Sequence, residues 1–551
     1  MRLILRGGHV VDPMNGVDGP ADLFVADGRI VPPFPEAEAD RVLDVAGCIV
    51  MAGGIDLHSH LGGGKMLLAR ELMAEDHHRH RYRAEGALRA GSGHAVPCAF
   101  HTGWMYARMG YTAAFEPAML PANARGAHLE MADIPVIDRG AYALLGNDDF
   151  TLGLLAAGER EAVRDAVAWT LRATGAIAVK VVNPGGIEAF KWGLRKIDLD
   201  EPGPHYGLTP RQILLGLTEA VDALKLPHPV HLHGLHLGLP GSAQTTLATI
   251  RALDGRRVHL THLQFHSYGR GGPFGFTSGA AEIAELVNAS PNVSVDVGQV
   301  MFGPTVTASG DTMSQARNAA HAHPKRACVM DIECEAGCGV VPFRYRHRNL
   351  VNALQWAVGL ELFLLVEDPW RLALSTDHPN GAPFHVYPEL IRLLMDRDHR
   401  NAVLETLPAA VREVTHLADI RREYTLSEIA TITRAAPARL LGIDAEYGHL
   451  GPGAVADVAV YERKGDWAAT FAAPRHLLRR GRFVVENGEL LGEAALEPGV
   501  VHVLDLPDDL PVRRRAARFF DEVRGLSLAS FELAEEEYAA GGLERHPLRA
   551  G

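Results

Sequence analysis

Two histidines one residue apart stand where an apolar stretch near the N-terminus ends. His58 and His60 follow the apolar run 48–51 and come just before a glycine-rich loop at residues 62–64. Side chains alternate faces along a strand, so both imidazoles are predicted to project from the same side. Such a pair can chelate zinc or a similar ion. The pair alone is a weak indication of a metal site, because His-x-His also occurs as an ordinary surface pair.

A lysine interrupts a second apolar run, at residues 176–182. Burying the ammonium group of Lys180 is costly unless the group is paired or neutralised. One interpretation is a buried salt bridge. The other is a carbamate, formed when the neutral amine reacts with CO2, whose two oxygens would bridge two metal ions. From Lys180 alone, both interpretations stay open.

Three more side chains of ligand type stand where further β-like runs stop. They are His233, His262 and Asp377. If these runs are strands of one barrel, their ends converge on a single mouth. Together with the histidine pair and the lysine they make six ligands, too many for one tetrahedral ion. The sequence therefore predicts a centre of two divalent metal ions, with zinc the expected metal.

Strand-like and helix-like segments alternate through the middle of the chain, and this alternation predicts a parallel α/β fold. Eight repeats are typical of a (β/α)8 TIM barrel, whose active sites lie at the C-terminal ends of the strands. Helices are predicted at 160–174 and 210–224, with an additional buried helix at 349–366. The eight strand segments are 49–60, 111–116, 134–138, 176–182, 229–233, 258–262, 293–297 and 372–377.

Short β-like segments with hairpin signals occur at both ends of the chain. Asp27-Gly28 follows one of them, and Asn487-Gly488 follows another. We therefore predict a small β-sandwich-like domain built from residues 1–52 and 443–510, next to a barrel formed by residues 53–442. The charged, alanine-rich stretch 511–551 is predicted to be a peripheral C-terminal tail.

Composition is that of an ordinary cytoplasmic enzyme, with 47% hydrophobic and 22% charged residues. The net charge of −13 argues against a broad surface for nucleic acid or an anionic membrane. Five cysteines in 551 residues indicate a reducing compartment without a disulfide framework. The sequence contains neither a secretory h-region at its start nor an uncharged apolar run long enough to span a membrane.

The ordered ligand set resembles the amidohydrolase superfamily, in its two-metal, carboxylated-lysine branch. The resemblance narrows to the A subunits of formylmethanofuran dehydrogenase and of the bacterial formyltransferase/hydrolase complex. Leu235 and His236 depart from the pattern, because the archaeal enzymes usually have asparagines there. The stretches that carry the resemblance are 106–112, 114–118, 179–186, 262–269, 333–342 and 367–381.

This resemblance implies hydrolysis of N-formylmethanofuran, or a methylofuran-type analogue, to formate and the free amine. It places His58, His60 and Asp377 on one metal and His233 and His262 on the other. Carboxylated Lys180 would lie between the two ions, and Asp377 would deliver the proton to the leaving nitrogen. It also implies partner subunits of the same complex. Contacts to the substrate are expected from residues just beyond the ligand-bearing strands, namely His236, His266, Tyr268 and Asn380.

Other residues of ligand type are expected to have structural roles. His231 ranks below His233, in the expectation that it points to the opposite side of the strand. His259 is predicted to be a core residue, and the histidines of the segment 77–80 are predicted to form a solvated helix face. Cys334 and Cys338 lack partners at zinc-ribbon spacing, so a packing role in a loop is predicted for them.

Three alternative functions remain open from the sequence. The A subunit of a formylmethanofuran dehydrogenase would run the reverse step, condensing formate with the amine. A cyclic amidase of the hydantoinase or dihydroorotase type would share the ligands but not the subfamily stretches. A scaffold subunit without catalysis would have no need of the complete ligand set.

Overall fold

The computed structural model describes residues 1–194, 196–272, 275–309, 326, 328–329, 339–507, 509–540 and 542–550. The described part of the chain forms a parallel β/α barrel and a separate sheet made from both ends of the chain. Cys334 and Cys338 lie outside the described residues. None of the helices in the described part has the length and apolar character needed to cross a membrane.

The barrel consists of eight strands that pair in sequence order. Each strand is parallel to the next, and a parallel bridge between Ser59 and His378, just beyond the first and last strands, closes the ring. The mixed α/β barrel predicted from the sequence is therefore confirmed. The strands are β1 (Gly54–Asp56), β2 (Tyr111–Met119), β3 (Asp138–Leu145), β4 (Ala178–Val182), β5 (Val230–His233), β6 (Val258–Leu260), β7 (Val293–Asp296) and β8 (Leu372–Ala373).

Strand burial explains why the barrel sequences are almost continuously apolar. Every residue of β2, β4 and β5 is buried. Strands of a parallel barrel are covered by helices outside and by each other's side chains inside, so neither face meets water. Polar residues in such strands therefore stand out as candidates for the site.

Helices surround the barrel and begin and end at recognisable signals. The helix predicted at 160–174 is Arg160–Thr174 and ends at Gly175 in the left-handed conformation, and Thr209 forms a capping box on the helix Pro210–Ala223. The additional buried helix predicted at 349–366 is Leu350–Leu365. The remaining α-helices of the described residues are Gly64–Leu72, Ala74–Arg79, Ala99–Ala107, Ala124–Ala132, Asp149–Ala156, Gly186–Lys191, Ser242–Ala252, Ala280–Ala289, Tyr387–Met395, Arg397–Glu405, Ala410–Val414, Leu426–Ala430, Ala436–Leu441, Trp467–Phe471, Val512–Phe519 and Glu535–Ala540.

The second sheet joins the two ends of the chain. Its central contact is the antiparallel pair Cys48–Ala52 and Val458–Glu462, in which Val50 lies opposite Val460. Buried side chains from both ends, including Leu3 and Val458, pack into one apolar cluster. The other strands of this sheet are Arg2–Asp12, Val17–Ala26, Arg29–Ile30, Arg41–Asp44, His476–Arg479, Arg482–Glu486 and Glu489–Leu490.

The third barrel strand was predicted at 134–138, and this was wrong. The strand begins where the predicted segment ends and runs over Asp138–Leu145. Pro135 has no N–H to donate to a sheet ladder, and Val136 adopts a left-handed φ of 58°. The segment is buried and apolar, but its backbone cannot pair until Asp138.

The end of the chain adds two strands to the barrel sheet. Gly499–Asp505 pairs with β3 through Val501 and Arg139, and Leu543–Arg549 runs parallel to Gly499–Asp505. The first of these strands lies in the range 443–510 predicted for the small β domain, and the second lies in the predicted tail 511–551. An apolar β-run does not reveal which sheet it joins, so the sequence could not make this distinction. The division of the chain into domains otherwise stays a prediction.

Candidate metal centre

The six predicted ligands line one cavity of about 120 Å³ at the C-terminal ends of the barrel strands. His233 is the last residue of β5, and His262 and Asp377 follow β6 and β8 in left-handed turns with φ of 36° and 52°. These turns direct the chain away from the barrel immediately after each strand. The antiparallel strands Gly303–Ser309 and Gly339–Tyr345 contribute Thr307, Ala308 and Tyr345 to the cavity wall.

His58, His60 and Asp377 form the first of two groups of predicted ligands. Nε2 of His58 lies 2.9 Å and Nε2 of His60 lies 3.3 Å from Oδ1 of Asp377. All three side chains are buried, and their ligand atoms are close enough together to hold a metal ion. The His-x-His spacing thus places both Nε2 atoms on one side of the strand end, as predicted.

The Glu116 carboxylate orients His60 from behind. Nδ1 of His60 donates to Oε1 of Glu116 at 3.0 Å, and the backbone N–H of Leu61 donates to Oε2 at 2.7 Å. Burial by itself would raise the pKa of Glu116, but Lys65, His60 and the backbone donor lower that pKa well below its usual range. Glu116 is therefore ionised, and it holds a proton on Nδ1 so that Nε2 faces the cavity.

His233 and His262 form the second group, and His266 joins them. The three rings lie 4.5 to 5.3 Å apart, and their ring nitrogens are close enough to hold a metal ion. The backbone N–H of His262 donates to Asp296 at 2.8 Å. Nδ1 of His262 is buried without a hydrogen-bond partner among the described residues, which is consistent with a role as a metal ligand.

Lys180 lies in the middle of β4 and is 2% exposed. Burial lowers the pKa of its amine to about 7, although the charges of Asp377 and Asp296 oppose that shift. Among the residues that the structure describes, no carboxylate lies within ion-pairing distance of the amine. A simple buried salt bridge is therefore not what this lysine forms. A neutral amine beside candidate metal ligands is the chemical state that reacts with CO2.

The four predicted substrate contacts lie at different depths. Asn380 lines the cavity and donates from Nδ2 to Oδ1 of Asp377 at 2.9 Å. His266 lies beside the second group of ligands. His236 contacts Asp198 and Thr245 instead, and the buried Tyr268 donates to Gln264. Neither His236 nor Tyr268 is among the residues that line the cavity.

Sequence reasoning underestimated His231. His231 and His233 are two residues apart in β5, so their side chains share a face and the expected opposite orientation was wrong. His231 is fully buried in the barrel, in register with Lys180 and His259, and its Nε2 lies 2.8 Å from Nδ1 of His58. The two-residue alternation of side chains along β5 would have placed His231 on the same face as His233.

Two buried carboxylates at strand ends were not given a role from the sequence. Glu116 lies near the end of β2, and Asp296 is the last residue of β7. Asp296 accepts from the backbone of His262 and lies 3.1 Å from Nε2 of His259. Acidic residues that end apolar strands were the available signal, because a barrel gathers all such ends at one mouth.

The histidines of the segment 77–80 stay apart from the metal centre. His77 contacts Ser92 and His80 contacts Asp76, both at hydrogen-bonding distance. The described residues place no third ligand with them in a metal-binding arrangement. Their expected structural role is consistent with this placement.

Three comparisons with known proteins bear on this arrangement. The sequence profile of the amidohydrolase family matches residues 41–491. The chain is 44% identical to the A subunit of the formyltransferase/hydrolase complex Fhc of Methylorubrum extorquens, over 97% of each chain. It is 41% identical to "Protein FwdA" of Methanocaldococcus jannaschii, over 90% of this chain and 89% of that one.

A solved structure matches the whole fold. It is the crystal structure of the formyltransferase/hydrolase complex FhcABCD from Methylorubrum extorquens in complex with methylofuran, with a TM-score of 0.93, 42% identity and complete coverage of both chains. By contrast, the dihydroorotase of Solibacter usitatus is 41% identical over only 63 residues, or 11% of this chain. The matches over the full length of the chain and the barrel with its cluster of predicted ligands lead to the same conclusion. The chain belongs to the amidohydrolase family.

Proposed function

We propose that this chain hydrolyses the formamide bond of a formylmethanofuran-type substrate, N-formylmethylofuran, to formate and the free amine. It would do so as the A subunit of a formyltransferase/hydrolase complex. The observation that carries this proposal is the convergence of all six predicted ligands on one cavity, in a chain similar over its full length to a subunit of that kind.

The residues present fit a centre of two divalent metal ions, and we propose that these are zinc. The two groups of buried ligands support two ions, and the unpartnered Nδ1 of His262 supports a ligand role for that residue. The lowered pKa of the Lys180 amine, about 7, supports a carbamate between the ions, because it makes the reactive neutral form accessible. In this assignment His58, His60 and Asp377 would hold the first metal and His233 and His262 the second, and carbamylated Lys180 would supply an oxygen ligand to each.

Two divalent ions, when bound, lower the pKa of a water and polarise the formyl carbonyl. The water oxygen adds to the formyl carbon, and the C–N bond then breaks. Asp377 accepts the proton of the attacking water and delivers it to the nitrogen, because an amine is a poor leaving group unless it is protonated. Asn380 donates to Oδ1 of Asp377 and so helps to hold the carboxylate in place.

Competing functions lack a comparable observation. The similarity to dihydroorotases is confined to 11% of the chain, which weakens a cyclic amidase. The retained ligands and the buried lysine weaken a scaffold without catalysis. The reverse condensation uses the same centre, so the direction depends on the partner subunits and the supply of formate.

Formate release tests the proposal. The complex containing this chain, purified with zinc, would be incubated with N-formylmethylofuran, and formate and free amine would be measured. We expect both products in equal amounts, and no turnover of dihydroorotate or hydantoin under the same conditions. Turnover of the cyclic amides with no formate release would refute the proposed function.

A further inference from the structure

Two buried histidines, His228 and His231, form a hydrogen-bonded chain that leads to His58 from behind the metal centre. Nδ1 of His228 lies 2.8 Å from the carbonyl oxygen of Leu440. Nε2 of His228 lies 3.0 Å from Nδ1 of His231, and Nε2 of His231 lies 2.8 Å from Nδ1 of His58. All three side chains are fully or almost fully buried. The proposed function uses none of the atoms behind His58.

The carbonyl oxygen of Leu440, at the start of the hydrogen-bonded chain, fixes the position of each proton along it. A carbonyl oxygen only accepts, so Nδ1 of His228 carries a proton and its Nε2 has a lone pair. His231 must then donate from Nδ1, which leaves its own Nε2 as an acceptor. Nδ1 of His58 is the donor to that acceptor, and Nε2 of His58 therefore has its lone pair on the side of Asp377.

We propose that His228 and His231 are positioning residues that fix the tautomer of His58, so that its Nε2 lone pair faces the metal. The inference rests on the proposed function only in taking His58 as a ligand. A neutral imidazole sets this tautomer without adding another buried charge to a site that already contains Glu116 and Asp377. His60 is held differently, by the Glu116 carboxylate.

Two other groups close to Nδ1 of His58 do not replace His231. Oδ2 of Asp296 is farther away, at 3.3 Å, and lies closer, at 3.1 Å, to Nε2 of His259. The hydroxyl of Thr261 also contacts Nδ1 of His58. If that hydroxyl donated its proton to Nδ1, two lone pairs would face each other across 2.8 Å between His58 and His231, which is repulsive. The histidine chain and the Asp296 carboxylate, which can only accept, therefore both favour a proton on Nδ1 of His58.

The hydrogen-bonded chain of histidines predicts different effects for two substitutions of His231. His231→Leu removes the acceptor, whereas the side-chain amide oxygen of His231→Gln can restore it. Loss of the partner of a ligating histidine typically lowers metal affinity about 10- to 100-fold. We expect a loss of that size for zinc in His231→Leu and recovery of most of the affinity in His231→Gln. His128→Leu, which removes a buried histidine whose Nε2 hydrogen-bonds to the carbonyl oxygen of Thr174, is the matched control.

Zinc affinity would be measured on the full chain in its purified complex, by titration of the metal-free protein with zinc against a competing chelator. Thermal unfolding of each variant would show that the protein is folded. If the His231 variants do not fold, His228→Leu and His228→Gln provide the same comparison one step farther from His58. These readouts need no substrate, so they do not depend on the success of the formate assay.

Two results would overturn the inference. One is equal zinc affinity in folded Leu and Gln variants at the same position. The other is a third zinc ion per wild-type chain that is lost in His231→Leu. In that case an ion rather than a proton lies between His58, His231 and Asp296, whose ligand atoms are also close enough to hold a metal.

Discussion

Replacing Asp377 by asparagine separates its two proposed roles, as a metal ligand and as a proton carrier. Oδ1 lies 2.9 Å from Nε2 of His58, 3.3 Å from Nε2 of His60 and 2.9 Å from Nδ2 of Asn380. Asparagine has the same shape and keeps one oxygen for these contacts. It cannot accept and return a proton as a carboxylate does.

The structure also indicates the protonation state from which Asp377 works. Burial would raise its pKa, but His58 and His262 lower that pKa well below the usual range. Asp377 is therefore ionised at neutral pH and ready to accept the proton of the attacking water. Loss of general acid–base help slows a reaction about 10²- to 10⁴-fold, or about 2.7 to 5.4 kcal/mol of activation free energy. We expect Asp377→Asn with both metals bound to lose at least about a hundredfold in turnover.

The assay is formate release per bound metal at saturating zinc, with elemental analysis of the same sample. Wild-type complex and Asn380→Ala are measured beside it, because Asn380 contacts Asp377 without being a predicted ligand. If Asp377 only binds metal, activity falls in proportion to the zinc lost and returns when zinc is saturating. A fully metallated Asp377→Asn enzyme with most of its turnover would refute the assignment of proton transfer to this residue.

Four further predictions address the metal centre. Lys180→Ala is expected to lose both metals and activity, with partial rescue by short carboxylates, as judged by metal content and formate release. Because the pKa of Lys180 is about 7 before modification, metal loading with bicarbonate should be faster at pH 8 than at pH 6, where the ammonium form dominates. Glu116→Gln should lower zinc affinity about 10- to 100-fold in a chelator titration, since His60 loses its carboxylate. Gly298→Ala should lose zinc and unfold at a lower temperature than Gly488→Ala. Both glycines have a positive φ, but only at Gly298 would the new methyl group clash with a neighbour, Cβ of His262.

The barrel could be predicted from the sequence because local patterns carry its information. The helix Arg160–Thr174 has a buried face at helical spacing and a glycine at its end, and its bounds agree with the prediction. Five of the six candidate ligands could be identified because they stand where or just after an apolar strand stops, as His233 does at the end of β5, whereas Lys180 was identified because it interrupts an apolar strand. Both signals depend on residues within a few positions of each other.

Pairings between distant residues could not be predicted in this way. Glu116 reaches His60 across 56 positions, and His231 reaches His58 across 173. His236 lies near Asp198 through a loop whose path no periodicity reveals. The pairing of Gly499–Asp505 with the barrel strand β3 was missed for the same reason, because Val501 and its partner Arg139 are far apart in the sequence.

The central claim is a pair of metal ions bridged by a modified Lys180, and a crystal structure of the zinc-loaded complex tests it most directly. Anomalous scattering measured above and below the zinc edge locates each ion without reference to the chain. We predict two zinc peaks in the cavity, one beside His58 and His60 and one beside His233 and His262, with continuous density extending Lys180 towards both. A single ion, or an unmodified Lys180 in well-resolved density with both ions present, would contradict this account.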